Sequence, residues 1–426
     1  MSSAAVRPLI RAEIIAVGSE MLRADRTDTN SLVVTARLND LGIDVAAKAV
    51  VADHLETLAS VFRQALERAD LVVLTGGLGP TDDDLTRTAV AAVLGRPLDE
   101  DPAIVEAIRT RFERRGLTMP DINRRQAQVV RGAVVLPNPT GTAPGMWIET
   151  GDKVVVLLPG PPREMRAIFE PVVDGRLAAR AGEERLARRV VRLVGRTESH
   201  AEERLQPLYA KWAGAAPPVM ATILAARGQV ELQLIARARD VSAAAAAVAA
   251  AADDVGAAFG PDVCSTDGRE LEQVVGDLLR AQRIRIAVGE SCTGGLVTSR
   301  LTDVAGSSDY VERGVVAYSN RAKIELLGVP EALIAEHGAV SGPVAVAMAD
   351  GVRRIARVEM GVGVTGIAGP GGGTEAKPVG TVAMAVLGPG ERRRARTILF
   401  PGDRLQVKLF SSTAAIDMVR RALLDA

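Results

Sequence analysis

Short apolar segments alternate with amphipathic segments over residues 10–175, and this alternation restricts the possible folds more than any other feature of the chain. The segments that read as strands are 12–18, 43–50, 71–77 and 153–160. Stretches with helical periodicity lie between them, near residues 30–41, 54–68 and 85–95. Such alternation favours a parallel sheet covered by helices on both faces. We therefore predict an α/β, doubly wound domain over residues 10–175.

The pattern changes after residue 180 and again after residue 265. Residues 180–262 combine two strand-like segments with an Ala-rich helix at 243–252, which predicts a small, KH-like α+β module. KH folds clamp RNA through a GxxG loop, but no GxxG occurs there, so we favour a spacer or dimerisation role. Residues 266–426 begin with a helix and the strand 284–289, and further strands and helices follow, which predicts a second α/β domain.

Composition argues against several classes of partner. The 52 basic and 52 acidic side chains balance, and aromatic residues form only 3% of the chain, so no nucleic-acid partner is expected. The Ala tract 243–252 is too short to span a bilayer, so no membrane partner is expected. Cys264 and Cys292 are the only cysteines, which fits a reducing, cytoplasmic setting. The spacer or dimerisation role favoured for residues 180–262 leads us to expect a homodimer.

A Gly-rich segment, GGLGPTDDDLT at 76–86, follows a predicted strand and leads into a predicted helix. Main-chain amides in such a turn can approach a phosphate. The candidate ligand loop comprises Gly76, Gly77, Gly79 and Thr81. Because consecutive carboxylates repel a bare phosphate, we expect a divalent cation, Mg²⁺ or Co²⁺, bound through Asp83 and Asp84. The alternative is that these acidic residues only cap the helix.

The segment ESCTGG at 290–295 places Ser291 between a predicted strand and a predicted helix, where its hydroxyl would face a crevice. The whole chain has only three histidines and six lysines. Lys323 lies in YSNRAK on the first turns of a predicted helix, and a buried lysine that has lost its proton can activate a serine. Cys292 is the rival nucleophile because thiols ionise more readily than hydroxyls. The alternatives are a serine that only caps a helix and a lysine on the surface.

Another Gly-rich segment, TGIAGPGGG at 365–373, closes a predicted strand. Together with KPVGT at 377–381 it would form a second loop rich in main-chain amides, which suits an anion. A flexible hairpin would also use glycine this densely. This segment is therefore a second candidate ligand loop.

These motifs, in this order, resemble the CinA family. GSEML (18–22), DTN (28–30), GGLGPTDDDLT (76–86), NPTGTAPG (138–145) and LPGPPREM (158–165) resemble the CinA N-terminal domain, a relative of molybdopterin-biosynthesis proteins of the MoaB/MogA type. ESCTGG, RGVVAYSNRAK, HGAVS (337–341), TGIAGPGGG, KPVGTV and PGDR (401–404) resemble the CinA C-terminal domain. That domain also occurs alone, as the PncC family of nicotinamide mononucleotide amidohydrolases.

The C-terminal resemblance implies a reaction and a set of site residues. The implied reaction is hydrolytic deamidation of nicotinamide mononucleotide to nicotinate mononucleotide and ammonia, without a cofactor. Ser291 would be the nucleophile, and Lys323 and Tyr318 would assist it. The residues expected to hold the substrate are Thr293, Gly294, Gly295, Thr365, Gly366, Ala368, Gly369, Lys377 and Arg404.

The N-terminal resemblance implies a second activity, a metal-dependent ADP-ribose pyrophosphatase in which Asp84 occupies a functional position. Two alternatives to the combined assignment stay open at this point. In the first, only the N-terminal pyrophosphatase is active. In the second, the protein is a non-enzymatic pterin-binding or competence-related scaffold.

Overall fold

The computed structural model describes residues 7–226, 228–390 and 392–425. The chain forms two compact units. The first unit joins the residues up to 186 with residues 237–244, and the second joins 187–236 with 245–426. The second unit thus contains most of the predicted middle module together with the predicted C-terminal domain. The finer division at 10–175, 180–262 and 266–426 stays a prediction.

Strands and helices of the first unit alternate along the chain. The strands are β1 (Arg11–Val17), β2 (Asp44–Val51), β3 (Leu71–Thr75), β4 (Leu98–Glu100), β5 (Gln128–Val130), β6 (Val134–Leu136), β7 (Gly145–Thr150) and β8 (Lys153–Leu158). The helices are α1 (Asn30–Asp40), α2 (Leu55–Arg68), α3 (Thr86–Leu94), α4 (Pro102–Glu113), α5 (Pro162–Val172) and α6 (Ala178–Arg180). Six strands form one sheet in the order β2-β1-β3-β8-β7-β6.

This sheet is mixed, which corrects the prediction of a parallel sheet. The four predicted strands, β1, β2, β3 and β8, do pair in parallel. The two strands that the sequence analysis missed, β6 and β7, pair antiparallel at one side. The reason is the connection between β7 and β8, which is two residues long, because only antiparallel neighbours can be joined by so short a turn.

Helices cover both faces of this sheet, as predicted. Successive residues of β3 point to opposite faces. Leu71 and Val73 join a core with α1 and α5, whereas Val72 and Leu74 join a core with α2 and α3. β3 therefore lies between two packed cores. Its carboxyl end is at the edge of the sheet where the Gly-rich loop 76–79 begins.

The middle of the chain forms a four-stranded sheet and two helices. These elements are β9 (Arg185–Val194), α7 (Glu198–Ala213), β10 (Val219–Ala226), β11 (Gln229–Ala238), α8 (Val241–Phe259) and β12 (Val263–Ser265). The strand order is β10-β11-β9-β12. The sequence analysis assigned neither α7 nor β10. Helix α7 contains Pro207 in its interior, a residue that normally interrupts helical patterns.

Helix α8 is longer than the Ala tract that predicted it. Together with the turn that follows, it covers Val241–Asp262, and by length and composition alone this helix could cross a membrane, contrary to our reading of the tract. A single helix of this kind is weak evidence for a membrane span. One stripe of α8 is buried, from Ala244 through Val248 and Val255 to Phe259. The ring of Phe259 packs under Arg204 of α7.

The C-terminal part of the second unit repeats the alternation of strands and helices. Its strands are β13 (Ile286–Glu290), β14 (Val311–Val316), β15 (Met360–Gly366), β16 (Thr381–Leu387) and β17 (Arg393–Leu399). Its helices are α9 (Leu271–Gln282), α10 (Leu296–Thr302), α11 (Asn320–Leu327), α12 (Glu331–His337), α13 (Gly342–Ala356) and α14 (Arg404–Leu424). The sheet order is β14-β13-β15-β16-β17. The predicted α/β class is confirmed for both ends of the chain.

Candidate active site

Three neighbouring parallel strands deliver the C-terminal motifs to one edge of their sheet. β13 pairs in parallel with β14 on one side and with β15 on the other, so their carboxyl ends meet at the same edge. Ser291 follows β13, the segment 318–323 follows β14, and residues 367–369 follow β15, whose last residues are Thr365 and Gly366. The topology of the sheet therefore brings together residues that lie up to about 80 positions apart in the sequence.

The ESCTGG segment, residues 290–295, forms a loop that we call the nucleophile loop. The carboxylate of Glu290 is fully buried and organises this loop. It accepts hydrogen bonds from the amides of Gly295 at 3.0 Å, Val297 at 3.1 Å and Thr298 at 2.9 Å, and from the Thr298 hydroxyl at 2.7 Å. Glu290 thus ties the end of β13 to the start of α10. The sequence analysis had assigned Glu290 no role.

Ser291 and Lys323 meet in the interior. Lys323 Nζ lies 3.0 Å from Ser291 Oγ, and the two residues are 2% and 7% exposed, respectively. Ser319 caps α11 by accepting a hydrogen bond from the Ala322 amide at 3.0 Å, which sets Lys323 on the first turn. The predicted neighbours are therefore adjacent, in a geometry that allows proton transfer between them.

The environment of Lys323 favours its neutral form. Burial lowers the pKa of the Lys323 amine below its ordinary value, because a charged ammonium loses solvation in the interior. Its hydrogen-bond acceptors are Ser291 Oγ and the carbonyl oxygen of Tyr318, at 3.2 Å. Within the described residues no carboxylate lies at ion-pair distance from it. A neutral amine can donate to the carbonyl and keep its lone pair for the serine hydroxyl.

Burial makes Cys292, the rival nucleophile, less reactive. Its side chain is 5% exposed, and burial raises the pKa of the Cys292 thiol to about 12. The thiol therefore stays protonated near neutral pH, and the thiolate is the reactive form. The sulfur packs towards Gly366, where an added Cβ would lie 2.9 Å from Sγ. Ser291 is the better nucleophile of the two in this arrangement.

Tyr318 reaches the Ser–Lys pair through its main chain. Its carbonyl oxygen accepts from Lys323 Nζ and, at 3.4 Å, from the Ser291 hydroxyl. Its phenol is more than half exposed and accepts a hydrogen bond from Arg404 at 2.7 Å. The same guanidinium donates to the carbonyl of Gly369 at 2.7 Å. Arg404 thus joins the Tyr318 side chain to the loop after β15.

The other predicted substrate-binding residues differ in their hydrogen-bond partners and in their burial. Thr365 donates to the carbonyl of Ala339 at 2.8 Å, and Lys377 donates to the carbonyl of His337 at 2.8 Å. Thr293 is fully buried, and its hydroxyl oxygen has no partner among the described residues. Gly294 and Gly295 adopt φ angles of +62° and +94°, which residues with a Cβ rarely adopt.

Side chains on the first turn of α3 donate hydrogen bonds to the carbonyls of the N-terminal ligand loop. Thr86 donates to the carbonyl of Gly76 at 2.8 Å. The buried guanidinium of Arg87 donates to the carbonyls of Leu78 at 2.8 Å and Gly79 at 2.7 Å. These contacts turn the carbonyls of the loop inward. The sequence analysis missed Arg87, and no motif in the sequence would have pointed to it.

A pocket of about 330 Å³ opens above this loop. The lining includes the three glycines and the threonine of the predicted loop, together with carboxylates from several segments: Gly76, Gly77, Gly79, Thr81, Asp83, Asp84, Glu20, Asp53 and Glu164. The pocket joins the three Gly- and Pro-rich segments of the domain, because Thr142 and Gly160 also line it. A small ligand with a polar group fits such a pocket best.

The metal-binding role predicted for Asp83 and Asp84 stays a prediction, and the structure engages Asp84 within the loop itself. Both oxygens of Asp84 are engaged with the loop, because they accept from the amide of Gly79 at 2.7 Å and from the amide and hydroxyl of Thr81 at 2.8 Å and 2.5 Å. Asp82 instead pairs with Arg125. Across the described part of the chain, no group of three or more Asp, Glu, His or Cys side chains is arranged to hold a metal.

Comparisons with known proteins agree with this architecture. Residues 268–423 match the family described as "CinA C-terminal domain", and residues 13–179 match the "Probable molybdopterin binding domain". The CinA-like protein of Koribacter versatilis is 46% identical over 422 residues, which cover 97% of this chain and 100% of that protein. The CinA-like protein of Anaeromyxobacter dehalogenans is 44% identical over 415 residues, with coverage of 97% and 100%.

Among solved structures, competence/damage inducible protein CihA from Agrobacterium tumefaciens is 36% identical. The match covers 36% of this chain and 93% of that one, with a TM-score of 0.35. The full-length relatives decide the assignment, because their identity extends over both ends of the chain and the module between them. The resemblance drawn from the motifs is confirmed, and the chain belongs to the CinA family.

Proposed function

We propose that the C-terminal domain hydrolyses the carboxamide of nicotinamide mononucleotide to give nicotinate mononucleotide and ammonia. The observation that carries the proposal is the buried contact of 3.0 Å between Lys323 Nζ and Ser291 Oγ. Such a pair supplies a nucleophile and its base without histidine, and it suits acyl transfer. Membership of the CinA family supports this choice of substrate, because the same motifs resemble those of the stand-alone amidohydrolases.

In the first half of the reaction, neutral Lys323 takes the proton of the Ser291 hydroxyl as Oγ attacks the carboxamide carbon. The carbonyl of Tyr318 accepts an N–H from the amine and so orients the lone pair towards Oγ. Lys323, now protonated, gives this proton to the departing nitrogen, and the C–N bond breaks to release ammonia. The products of this half are neutral Lys323 and an ester between Ser291 and the nicotinoyl group.

In the second half, water replaces ammonia. Lys323 accepts a proton from the water as its oxygen attacks the ester carbon, and it returns a proton to Ser291 Oγ as the ester bond breaks. The products are free Ser291 and the pyridine carboxylic acid, which ionises to the carboxylate by releasing a proton to solvent. A pKa below the ordinary lysine value suits both halves, because one group must act as base and acid in alternation.

The transition states carry negative charge on the former carbonyl oxygen, which main-chain amides can stabilise. The amide of Ser291 is unsuited, because it donates to the carbonyl of Val364 at 2.9 Å. The amide of Gly294 donates to the carbonyl of Ser291 at 3.0 Å. We assign the role to the amides of Cys292 and Thr293, which approach the Cys292 sulfur, a weak acceptor that an oxyanion can replace.

A metal-dependent ADP-ribose pyrophosphatase in the N-terminal domain stays a prediction. The pocket over the Gly-rich loop supports ligand binding there, but the engagement of both Asp84 oxygens by the loop speaks against a cation bound through this residue.

Ammonia release from purified protein tests the proposal, with nicotinamide mononucleotide and free nicotinamide offered in parallel in the presence of a chelator. We expect release from the nucleotide, and a loss of at least about 1,000-fold in Ser291→Ala and in Lys323→Met. The matched control is Lys48→Met, a change of an exposed lysine on β2, and it should retain full activity. A wild-type protein that releases no ammonia from the nucleotide would refute the proposal.

A further inference from the structure

Two cations on the first turns of α14 flank the nucleophile loop. Arg404 begins the helix, and its guanidinium contacts Tyr318 Oη and the carbonyl of Gly369. Lys408 lies four residues later and therefore on the same side of the helix. A Cβ built on Gly294 would lie 3.6 Å from Lys408 Nζ. The amine is thus positioned against the loop that carries the nucleophile.

These two positive charges are not neutralised by protein carboxylates. Within the described part of the chain, neither Arg404 nor Lys408 has a carboxylate at ion-pair distance. Asp403, beside them, accepts from the amide of Gln406 at 2.9 Å. Glu290, the acidic residue of the nucleophile loop, is committed to the four hydrogen bonds described above. The edge of the site at α14 therefore carries excess positive charge.

Lys408 also differs from the other lysines of the chain. Lys153, Lys211, Lys323 and Lys377 each have a hydrogen-bond or ion-pair partner. Of the two lysines without a partner among the described residues, Lys48 is exposed on β2 whereas Lys408 is half-buried. A half-buried lysine can bury its aliphatic stem against the protein and present its ammonium to an anionic ligand. The position of the Lys408 amine beside Gly294 places that ammonium next to the nucleophile loop.

We infer that Lys408 and Arg404 together bind the phosphate of the substrate, and that Lys408 makes the site prefer nucleotides over the corresponding nucleosides. The inference rests on the proposed function, since it concerns the substrate of the same site. A phosphate dianion offsets two cations, and it can accept from the lysine as a point charge. The guanidinium of Arg404 has five N–H donors and uses two of them in the contacts above.

The test compares kcat/KM for nicotinamide mononucleotide and for nicotinamide riboside, which lacks the phosphate, in four proteins at constant ionic strength. In Lys408→Met the preference for the nucleotide should fall about 10- to 30-fold, mainly through KM. Lys408→Arg should keep the preference within about threefold, because it restores the charge. The matched control Lys48→Met should show the wild-type preference.

Equilibrium binding separates this inference from the proposed function. Nicotinamide mononucleotide should bind about 10- to 30-fold more weakly to Ser291→Ala/Lys408→Met than to Ser291→Ala, and this comparison requires no turnover. Equal affinities, or equal losses of kcat/KM on both substrates, would overturn the role of Lys408 even if ammonia release is observed. Conversely, the wild type could release no ammonia while the two variants still differ in affinity as expected. That result would refute the deamidase and leave the phosphate site supported.

Discussion

Lys323 Nζ lies 3.2 Å from the main-chain carbonyl of Tyr318, whereas the phenol of Tyr318 accepts its hydrogen bond from Arg404. One residue thus serves two parts of the site through different atoms. The carbonyl orients the base, and the phenol positions the arginine. The resemblance to the family implied that this tyrosine assists catalysis, and the geometry indicates that a change of its side chain would act through Arg404.

The first prediction concerns this separation. Tyr318→Phe removes the phenol oxygen and keeps the carbonyl, so Lys323 and Ser291 should stay in contact. We expect KM for nicotinamide mononucleotide to rise about tenfold, the cost of one hydrogen bond to a charged group. The turnover number should stay within about threefold of wild type. Steady-state kinetics provide the measurement, and a large fall in kcat at unchanged KM would instead indicate proton transfer through the phenol.

The second prediction concerns pH. Because burial lowers the pKa of the Lys323 amine and the neutral amine is the base, activity should rise with pH through an ionisation below the ordinary lysine value of 10.5. Lys323→Arg should be inactive, since a guanidinium stays protonated. A pH profile of kcat/KM gives the measurement. A profile that stays flat from pH 6 to pH 10 would contradict the assignment of the base.

The same ionisation should affect stability. The unfolded chain binds a proton at the ordinary lysine pKa and the folded chain only at a lower pH, so stability should rise with pH between these two values. The contribution is complete above about pH 10.5 and is lost as the pH falls through the folded pKa. Lys323→Met should remove this dependence. Urea unfolding at several pH values gives the unfolding free energy of both proteins. If this free energy changes with pH by the same amount in wild type and in Lys323→Met, the prediction is contradicted.

The third prediction distinguishes the adjacent nucleophiles. Ser291→Ala should lower ammonia release by at least about 1,000-fold with the fold intact, whereas Cys292→Ser should retain activity within about tenfold. A thiol-alkylating reagent should inactivate the protein slowly, because the Cys292 thiol is buried and protonated. Rapid inactivation that Cys292→Ser prevents would transfer the role of nucleophile to the cysteine.

The fourth prediction concerns Asp84. Since its carboxylate accepts three hydrogen bonds from the ligand loop, Asp84→Ala should destabilise the N-terminal unit by about 2 kcal/mol even in the presence of a chelator. The exposed neighbour provides the control, and Asp83→Ala should unfold at the wild-type urea concentration. If Asp84→Ala has wild-type stability but loses binding of Mg²⁺, the metal-binding role predicted from the sequence would be restored.

The fifth prediction concerns Glu290. Glu290→Gln places an amide group against four donors, so we expect a loss of about 2–4 kcal/mol in unfolding free energy. The nucleophile loop should also become less ordered, and kcat should fall. The matched control, Glu331→Gln at the exposed start of α12, should leave both quantities unchanged. Wild-type activity in Glu290→Gln would show that the loop does not depend on this carboxylate.

Local patterns were sufficient for most of the secondary structure. Apolar periodicity predicted the parallel strands around β3 and the helices between them, because each of these elements buries one face along its own length. The same reasoning missed β6, β7 and β10, which are short or lie at the side of a sheet. It also missed α4, α5 and α7; α5 and α7 each contain an internal proline, which hides the helical pattern. Whether such a segment forms a strand depends on its pairing with distant segments, and periodicity within the segment carries no information about that pairing.

The sequence by itself determined the family, the α/β class and the segments that carry the chemistry, because these depend on motifs and on short-range periodicity. Only the tertiary structure showed how the candidate groups are arranged. It brought Lys323 to Ser291 and left the Cys292 thiol buried, it directed the phenol of Tyr318 to Arg404, and it engaged both oxygens of Asp84 with the ligand loop. The physical reason is that burial and hydrogen bonding set the pKa and the direction of a side chain, and both arise from residues distant in sequence.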